Sequence, residues 1–443
     1  MSADHEHGPI AFAAADAAFG VLRSFKTLLL AVSGGPDSLA LLVLAADWCK
    51  HLGAAAPNIF VATVDHGLRE GSAREAEIVG QIAASFGVRH TTLHWLGGKP
   101  AAGIPNAARN ARYALLDDYA KSFAVDGSVA VVTAHHQDDQ AETVLMRLAR
   151  GGGVDALAAM RCERPLIEGS PVRLLRPLLG FSKARLVATL NDVGTGWLDD
   201  PTNSDTKFER TRVRAALDAS GLGAAALATT ARRMADASEG IDYAVARFIE
   251  TLDLSTNSGI FASLDRRAFD AGPAIVRQSV FAQLIGYFGG ATPKPDLSEI
   301  EGLAGRVLRS TGAAVTLGGA VISPDLRTIR VWREPGRLSV PEMVLTPGQH
   351  QLWDDRFWVG CDGDPGTIVT VKPLGQAAYE TISSSIPPTL CPPASAAYGL
   401  PAFWSEAALL AVPLLSVITE PGLRLREARL SVIQYRPPRS YER

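Results

Sequence analysis

Short apolar runs alternate with stretches of helical periodicity over roughly the first 200 residues of the chain. The apolar runs predict strands at 27–33, 58–65, 88–95, 129–135 and 173–179. The stretches between them predict helices at 37–51, 72–86, 105–122 and 138–150. Uninterrupted Val, Ile and Leu strands separated by helices are typical of a parallel sheet that is covered on both faces. We therefore expect a Rossmann-like α/β domain that binds its ligands at the carboxyl ends of the strands.

The pattern changes after about residue 215, where the chain becomes Ala-rich and helical. Helices are predicted at 274–289 and 297–309, and a hairpin at 314–322 with a further strand at 328–332. Proline-rich stretches and short strands follow. We predict three domains: an α/β domain at 20–215, a mainly helical domain at 216–335 and a small α+β domain at 336–443.

Composition narrows the class of protein. The chain has 443 residues, of which 47% are hydrophobic and 20% charged, and its net charge is −3. That charge is not typical of a general nucleic-acid binder, so any contact with RNA must come from local basic clusters. We find no signal peptide and no membrane span, and we expect a cytoplasmic protein.

The four cysteines lie far apart in the sequence and form no C-x-x-C pair; they are Cys49, Cys162, Cys361 and Cys391. This spacing argues against a disulfide framework, a zinc site or an iron–sulfur site. A reducing compartment fits the same observation.

A glycine turn follows the first predicted strand and opens the first long helix. It consists of Ser33, Gly34, Gly35, Pro36, Asp37 and Ser38. A helix N-terminus presents unpaired N–H groups and positive dipole to an anion, and glycine lets the backbone approach it. The turn lacks the lysine of the G-x-x-x-x-G-K-[ST] loop. It predicts a phosphate site in which Asp37 holds Mg²⁺ or orients a donor; the alternative is an ordinary strand–helix turn.

Two carboxylates mark the start of the helix after the fourth strand. Asp139 and Glu142 are three residues apart and share one helical face, directly behind His135 at the strand end. Such a pair can hold Mg²⁺ or an ammonium group and can accept a proton. Taken alone, the spacing of Asp139 and Glu142 favours an N-cap Asp with an N3 Glu, a variant of the capping box. Their position at the same sheet edge as the glycine turn favours a functional pair.

Arginines recur at helical spacing in two segments. Arg109 and Arg112 share a helical face, which suits phosphate recognition. Arg210, Arg212 and Arg214 follow a turn cluster and could meet RNA phosphates or a triphosphate. The alternative is a solvated helix face for the first segment and a loop followed by an amphipathic helix for the second. Residues 421–443 combine arginine with tyrosine, a pattern that can bind RNA. A solvated tail after an edge strand is the equal alternative for them.

Several separated blocks occur together in one order. They are SGGPDS (33–38), VDHGLR (64–69), ARNARYALL (108–116), HHQDDQAETVLMRLARGGG (135–153), RPLL (176–179) and W-x-DDP-x-N-x-D-x-x-F-x-R-x-RVR (197–214). Because these blocks occur together and in this order, the chain resembles the tRNA(Ile)-lysidine synthetases of the PP-loop (N-type ATP pyrophosphatase) superfamily. Two features differ from that family: Thr211 stands where it usually has Asn, and its basic R-x-R-x-x-G-D-like block is absent from the C-terminal region.

The resemblance implies a reaction. ATP would adenylate the C2 carbonyl oxygen of the wobble cytidine in a CAU-anticodon tRNA(Ile), releasing pyrophosphate. The ε-amine of free L-lysine would then attack C2 and expel AMP. The expected partners are therefore tRNA(Ile), lysine and ATP with Mg²⁺, and a homodimer is one option for its assembly.

The resemblance also implies roles for the residues named above. The catalytic candidates are Asp37, Arg112, Asp139 and Glu142. Residues Ser33 to Ser38 would bind ATP, with Asp37 as the magnesium ligand. The substrates would be held by Asp139, Glu142, His135, Arg109, Arg210, Arg212 and Arg214.

Three other functions are compatible with parts of the pattern. A tRNA 2-thiolation enzyme would share the fold, but it generally needs paired cysteines, which this chain lacks. A synthetase that uses ammonia would not need the arginines at 210–214 or the long C-terminal extension. A nucleotide- or RNA-binding protein without activity would not need Asp37, Asp139 and Glu142.

Overall fold

The computed structural model describes residues 7–67, 71–99, 103–123, 128–167, 169–198, 209–290, 294–336, 342–354, 356–362, 368–390, 392–418 and 429–434. It divides the chain into two compact units, Met1–Ser238 (unit 1) and Glu239–Arg443 (unit 2). The domain boundaries that we placed at 215 and 335 stay predictions.

Unit 1 alternates strands and helices as the sequence predicts. Its strands are β1 (Thr27–Ala31), β2 (Asn58–Asp65), β3 (Arg89–His94), β4 (Val129–Val132), β5 (Glu163–Pro165) and β6 (Arg173–Leu175). Its helices are α1 (Phe12–Ala18), α2 (Pro36–Leu52), α3 (Ser72–Ser85), α4 (Ile104–Lys121), α5 (Gln137–Ala149), α6 (Val154–Leu157), α7 (Lys183–Asp192) and α8 (Glu209–Ser220). Helix α9 (Ala224–Glu250) crosses from unit 1 into unit 2.

The strands of unit 1 form one sheet in the order β3-β2-β1-β4-β6-β5. All neighbours are parallel except β5, which pairs antiparallel with β6 at the edge. The predicted parallel α/β sheet is therefore confirmed. Because β2 and β4 flank β1 on opposite sides, the strand order reverses at β1. The carboxyl ends of β1 and β4 lie side by side at this switch point, where open α/β sheets bind their ligands.

The apolar character of α2 reflects its place in the core. The helix is long and apolar enough to cross a membrane by length and composition alone, but half of that stretch is buried inside the unit. Its residues Leu39 to Ala45 and Trp48 pack with β1 and β4 in one hydrophobic cluster. The Trp48 indole N–H donates to Asp16 at 2.8 Å, so its one polar atom is satisfied.

Unit 2 combines helices with antiparallel strands. Its helices are α10 (Arg266–Ala271), α11 (Ala274–Gly289), α12 (Leu297–Arg309), α13 (Gly375–Ile382) and α14 (Ala394–Tyr398). Its strands are β7 (Phe261–Asp265), β8 (Val315–Leu317), β9 (Ala320–Pro324), β10 (Thr328–Arg333), β11 (Met343–Leu345), β12 (Gln349–Trp353), β13 (Phe357–Asp362), β14 (Val369–Pro373), β15 (Pro401–Ser405), β16 (Ala408–Val412), β17 (Val417–Ile418) and β18 (Arg429–Gln434). Helices α11 and α12 and the β8–β9 hairpin confirm the sequence predictions.

The described strands of unit 2 form three sheets, ordered β7-β10-β9-β8, β11-β14-β15-β16-β17 and β12-β13-β18. Side chains on both sides of residue 335 share one hydrophobic cluster, in which Val321 and Trp332 pack with residues such as Trp353 and Phe403. A buried ion pair crosses the same point, with Arg333 Nη2 lying 2.5 Å from Asp354 Oδ1. The two halves of unit 2 are therefore joined by a common core.

Candidate active site

The glycine turn connects β1 to α2 in a conformation that only glycine adopts without strain. Gly34 has φ +89°, and a Cβ at that position would lie 2.8 Å from Leu198 Cδ1. The Leu198 N–H donates to the Gly34 carbonyl at 3.0 Å, which brings the segment after α7 against the turn. Gly35 has ordinary angles and precedes Pro36, the first residue of α2.

Two serine side chains form hydrogen bonds within the glycine turn and fix its conformation. Ser38 Oγ accepts the Ser33 N–H at 3.1 Å and donates to the Gly35 carbonyl at 2.9 Å. The hydroxyls of Ser33 and Ser38 lie 3.3 Å apart. Among the described residues, no side chain caps the N-terminus of α2. Its free N–H groups are therefore available to a phosphate.

Asp37 faces the beginning of α5. Its Oδ2 lies 3.5 Å from His136 Nε2, and its Oδ1 is buried without a hydrogen-bond partner in the described part of the chain. Mg²⁺ is usually held by one or two carboxylates together with substrate phosphates. An unpartnered carboxylate oxygen beside a phosphate-binding turn fits that pattern. Groups of three or more His, Cys, Asp or Glu side chains placed for a metal do not occur within the described ranges.

A capping box opens α5, but it differs from the pair considered in the sequence. The N-cap is His136, whose own N–H donates to Asp139 Oδ2 at 3.1 Å. The Asp138 N–H lies 3.3 Å from His136 Nδ1. Asp139 is thus part of the cap, whereas Glu142 takes no part in it. The Asp139–Glu142 capping box that we considered is wrong, because the helix begins one residue after His136.

His136 is surrounded by acidic groups. Besides Asp37, its ring nitrogens lie 3.4 Å from Asp138 Oδ2 and 3.6 Å from Asp139 Oδ2. Burial opposes the charged ring, but the bonds to Asp138 and Asp37 and the charge of Asp139 together raise the pKa of His136 to about 10. The neutral ring would accept the Asp138 N–H at Nδ1, whereas the charged ring donates there to the carboxylate. Three carboxylates favour the charged ring.

His135, the adjacent residue, is surrounded mainly by positively charged side chains rather than acidic ones. Burial lowers its pKa to about 3; Asp139 acts against the shift, and the positive charges of Arg176, Arg210 and Arg109 add to it. Its Nδ1 lies 2.9 Å from Thr133 Oγ1. His135 is therefore neutral at pH 7. The carboxyl end of β4 has a positive side, suited to phosphates, and a negative side, suited to an amine.

Glu142 is paired with the last of the predicted arginines. Its side chain is 2% exposed, and its Oε1 accepts from Arg214 Nε at 2.8 Å and from Arg214 Nη2 at 2.6 Å. Its Oε2 is buried and has no partner among the described residues. The sequence led us to expect Arg214 on RNA or a triphosphate, but here its guanidinium lies on a carboxylate. Arg214 therefore belongs to the acidic side of the site.

The arginines of α4 are exposed, and each lies against a ring. Arg112 Nη2 is 3.3 Å from His66 Nε2, and His66 packs edge-on against Trp95. Burial and the charge of Arg112 lower the pKa of His66, so the neutral ring accepts from the guanidinium. Arg109 lies over the Tyr113 ring, with 5.0 Å between guanidinium carbon and centroid.

Helix α8 carries Arg210, Arg212 and Arg214, and in the described part of the chain two ion pairs tie it to α5 and to the residue that ends α5. Besides the Glu142–Arg214 pair, Arg150 Nη2 binds both carboxylate oxygens of Glu209 at 2.6 and 2.7 Å. Arg210 and Arg212 are exposed. Residues 199–208, 421–428 and 435–443, which we also singled out in the sequence, lie outside the described residues.

A PP-loop domain family matches residues 12–219, which contain every site residue named above. The chain is 42% identical to the tRNA(Ile)-lysidine synthase of Bradyrhizobium sp. strain BTAi1, covering 75% of this chain and 97% of that protein. The chain belongs to the tRNA(Ile)-lysidine synthase family. The Ruegeria pomeroyi member is 37% identical over 88% of both chains. The Mesorhizobium japonicum member is 34% identical, covering 92% of this chain and 86% of that protein.

Three residues of this site were not among the candidates that the sequence suggested: His136, Asp138 and His66. His136 and Asp138 belong to the quoted HHQDDQ run, yet neither was among the candidates; Asp138 Oδ2 accepts the Lys183 N–H at 2.9 Å and so ties α7 to α5. His66 lies in the VDHGLR block, whose position after β2 was the available signal. Their roles depend on contacts with distant residues, which no local pattern contains.

Proposed function

We propose that the protein joins free L-lysine to C2 of the wobble cytidine in CAU-anticodon tRNA(Ile), using ATP and releasing AMP and pyrophosphate. One observation carries the proposal. A phosphate-binding turn after β1 and an acidic pair after β4 lie at adjoining strand ends, beside arginines suited to phosphates. ATP-dependent ligation at a tRNA is the function implied by the family. The cytoplasm, where tRNA and ATP are present, is the compartment we propose.

The first step is adenylation. The O2 atom of the cytidine attacks the α-phosphorus of ATP, forming an O–P bond, and pyrophosphate leaves. The N–H groups of the glycine turn hold the β- and γ-phosphates. Arg112, positioned by His66, offsets the negative charge that develops at the α-phosphate. Asp37 would hold Mg²⁺, which supplies charge neutralisation on the phosphates when bound.

The second step is attack by lysine. An ammonium with a solution pKa near 10.4 must lose a proton before it can act as a nucleophile. Asp139 and Glu142 hold the amine, and one of these two carboxylates takes the proton that it loses. The nitrogen then forms a bond to C2 as the C2–O bond to AMP breaks. Acid–base assistance of this kind is worth about 10²–10⁴-fold.

The positive side of the site holds the nucleic acid and the adenylate. His135 is neutral and can donate one hydrogen bond without adding charge, while Arg109 and Arg210 provide the positive field around it. Arg212 lies on the same exposed helix as Arg210. We assign these residues to phosphate contacts, and we assign Arg214 to the amine side.

The test is product analysis with the full chain. ATP labelled at the α-phosphate is incubated with a tRNA(Ile) transcript and with lysine, ammonia or a sulfur donor in separate reactions. Labelled AMP should accumulate only with lysine and tRNA together, and pyrophosphate should continue to form beyond a first turnover only under the same condition. Asp37→Ala should abolish both products while its circular dichroism spectrum stays unchanged. Release of ADP and phosphate, or equal turnover with ammonia or the sulfur donor, would contradict the proposal.

A further inference from the structure

Glu142 has one carboxylate oxygen occupied and one that has no partner among the described residues. Both hydrogen bonds from Arg214 end on Oε1, at 2.8 and 2.6 Å. Oε2 is buried and unpartnered within the described part of the chain. A buried acceptor that receives no hydrogen bond destabilises the protein. A ligand N–H group that donates to Oε2 therefore gains more binding free energy than it would at the surface.

The two cationic side chains of amino acids use carboxylates differently. A guanidinium is a planar fork that pairs best with both oxygens of a carboxylate, whereas an ammonium is a point charge that one oxygen can accept. With Oε1 taken by Arg214, Glu142 offers a single oxygen. A slender chain that ends in an ammonium also reaches a buried oxygen with less displacement of its neighbours than a broad guanidinium requires.

We propose that Arg214 determines the specificity of the amine site: by occupying Oε1 of Glu142, it leaves a single-oxygen acceptor that takes the lysine ammonium and rejects guanidinium compounds. The inference rests on the proposed function, in which Asp139 and Glu142 hold that ammonium. Arg214 acts through Glu142 and is a positioning residue. Its effect is on the choice of amino acid, which a merely structural ion pair would not alter.

The experiment measures lysine use and arginine inhibition in the full chain with ATP and tRNA(Ile). In Arg214→Met, both oxygens of Glu142 become available to a guanidinium. The KM for lysine should rise about tenfold and the inhibition constant of free arginine should fall about tenfold, with the KM for ATP unchanged within about twofold. Arg214→Lys, which keeps a cation on Oε1, should retain most of the preference for lysine.

Arg150→Met is the matched control, because it removes the other ion pair between α5 and α8 at an exposed position. It should leave both constants unchanged. The inference is overturned if Arg150→Met and Arg214→Met give the same change, or if Arg214→Met weakens lysine and arginine equally. Should Arg214→Met not fold, an Arg214→Lys enzyme that fails to favour lysine over arginine would overturn it equally.

Glu142→Gln separates this inference from the proposed function. If Glu142→Gln leaves the KM for lysine unchanged, Glu142 does not hold the amine and the assignment under the proposed function fails. If Glu142→Gln raises that KM while Arg214→Met leaves the ratio of lysine to arginine constants unchanged, only the role of Arg214 fails.

Discussion

At the scale of single residues, the site depends on two glycines with different tasks. Gly34 combines a positive φ with a contact too close for a Cβ, whereas Gly35 has φ −70° and only Ser33 Oγ near its ideal Cβ, at 3.8 Å. Gly34 is required by the fold of the turn itself. Gly35 is required only if a ligand approaches the backbone there.

Substitution of these glycines separates folding from binding. Gly34→Ala should lower the free energy of unfolding by about 1–3 kcal/mol, because it forces a residue with a Cβ into a strained conformation against Leu198. Gly35→Ala should leave stability nearly unchanged but weaken ATP binding. Thermal unfolding and calorimetric titration with ATP measure the two effects. If the two variants were equally stable, the positive φ of Gly34 and its closeness to Leu198 would not strain an alanine at that position.

His135 makes stability depend on pH. Its pKa is lowered to about 3 in the folded protein, against about 6.5 in an unfolded chain. Between these values the unfolded state binds a proton that the folded state does not, so stability falls as the pH falls from about 6.5. Going from pH 7.5 to 5.5 should therefore destabilise the parent by about 1 kcal/mol more than His135→Gln, which cannot take up the proton.

Denaturant unfolding at both pH values checks this prediction. The comparison is between differences, so other histidines that titrate equally in the two proteins cancel. An identical loss of stability in the parent and in His135→Gln would mean that His135 is protonated in the folded state as readily as in the unfolded state.

At the scale of secondary-structure elements, helix boundaries differ in how far the sequence specifies them. The bounds of α12 follow from local signals, since Asp296 and Glu299 form a capping box and Ile300, Leu303 and Val307 repeat on the buried face. The start of α5 does not, because histidine is not a preferred N-cap residue and the charged His136 ring cannot accept a backbone N–H. The capping contact that remains is the bond from the His136 N–H to Asp139 Oδ2.

The cap of α12 provides a direct test of this local specification. Asp296 Oδ1 accepts the Glu299 N–H at 2.9 Å, and Glu299 Oε2 accepts the Asp296 N–H at 2.9 Å. Asp296→Ala should lower stability by about 1 kcal/mol, as for other lost N-caps. Asp296→Asn, which keeps an acceptor, should lose less. If chemical denaturation shows no difference between Asp296→Ala and the parent, the cap does not stabilise α12.

The active-site pairs show what the sequence leaves open. The parallel sheet, the glycine turn and the candidate residues at the strand ends follow from periodicity and motif position. The partner of Glu142, by contrast, is Arg214, 72 residues further along the chain. His66, which follows β2, meets Arg112 on α4, 46 residues away in the sequence. Such pairings depend on how α4, α5 and α8 pack. Residue types at a given spacing therefore identify candidates without assigning their contacts.

At the scale of the whole molecule, charge and core organisation determine how RNA binding can be examined. The net charge of −3 means that tRNA must be attracted by local clusters. Removal of the region after residue 335 would be a poor test of its role, because Trp332 and Val321 share a hydrophobic core with that region. Loss of tRNA binding in such a truncated protein would not be distinguishable from unfolding of unit 2.

Charge substitutions on α8 avoid that difficulty. Arg210→Gln combined with Arg212→Gln should weaken tRNA binding and flatten its dependence on salt, because each lost phosphate contact removes about 0.7–0.9 from the slope of log K against log salt. Arg232→Gln combined with Arg233→Gln changes the net charge equally on exposed positions of α9 and should leave the slope nearly unchanged. Filter binding between 50 and 200 mM salt, the range over which such contacts are sensitive, measures both. Equal slopes for the two double variants would mean that tRNA senses overall charge rather than α8, and our assignment of Arg210 and Arg212 to phosphate contacts would then be wrong.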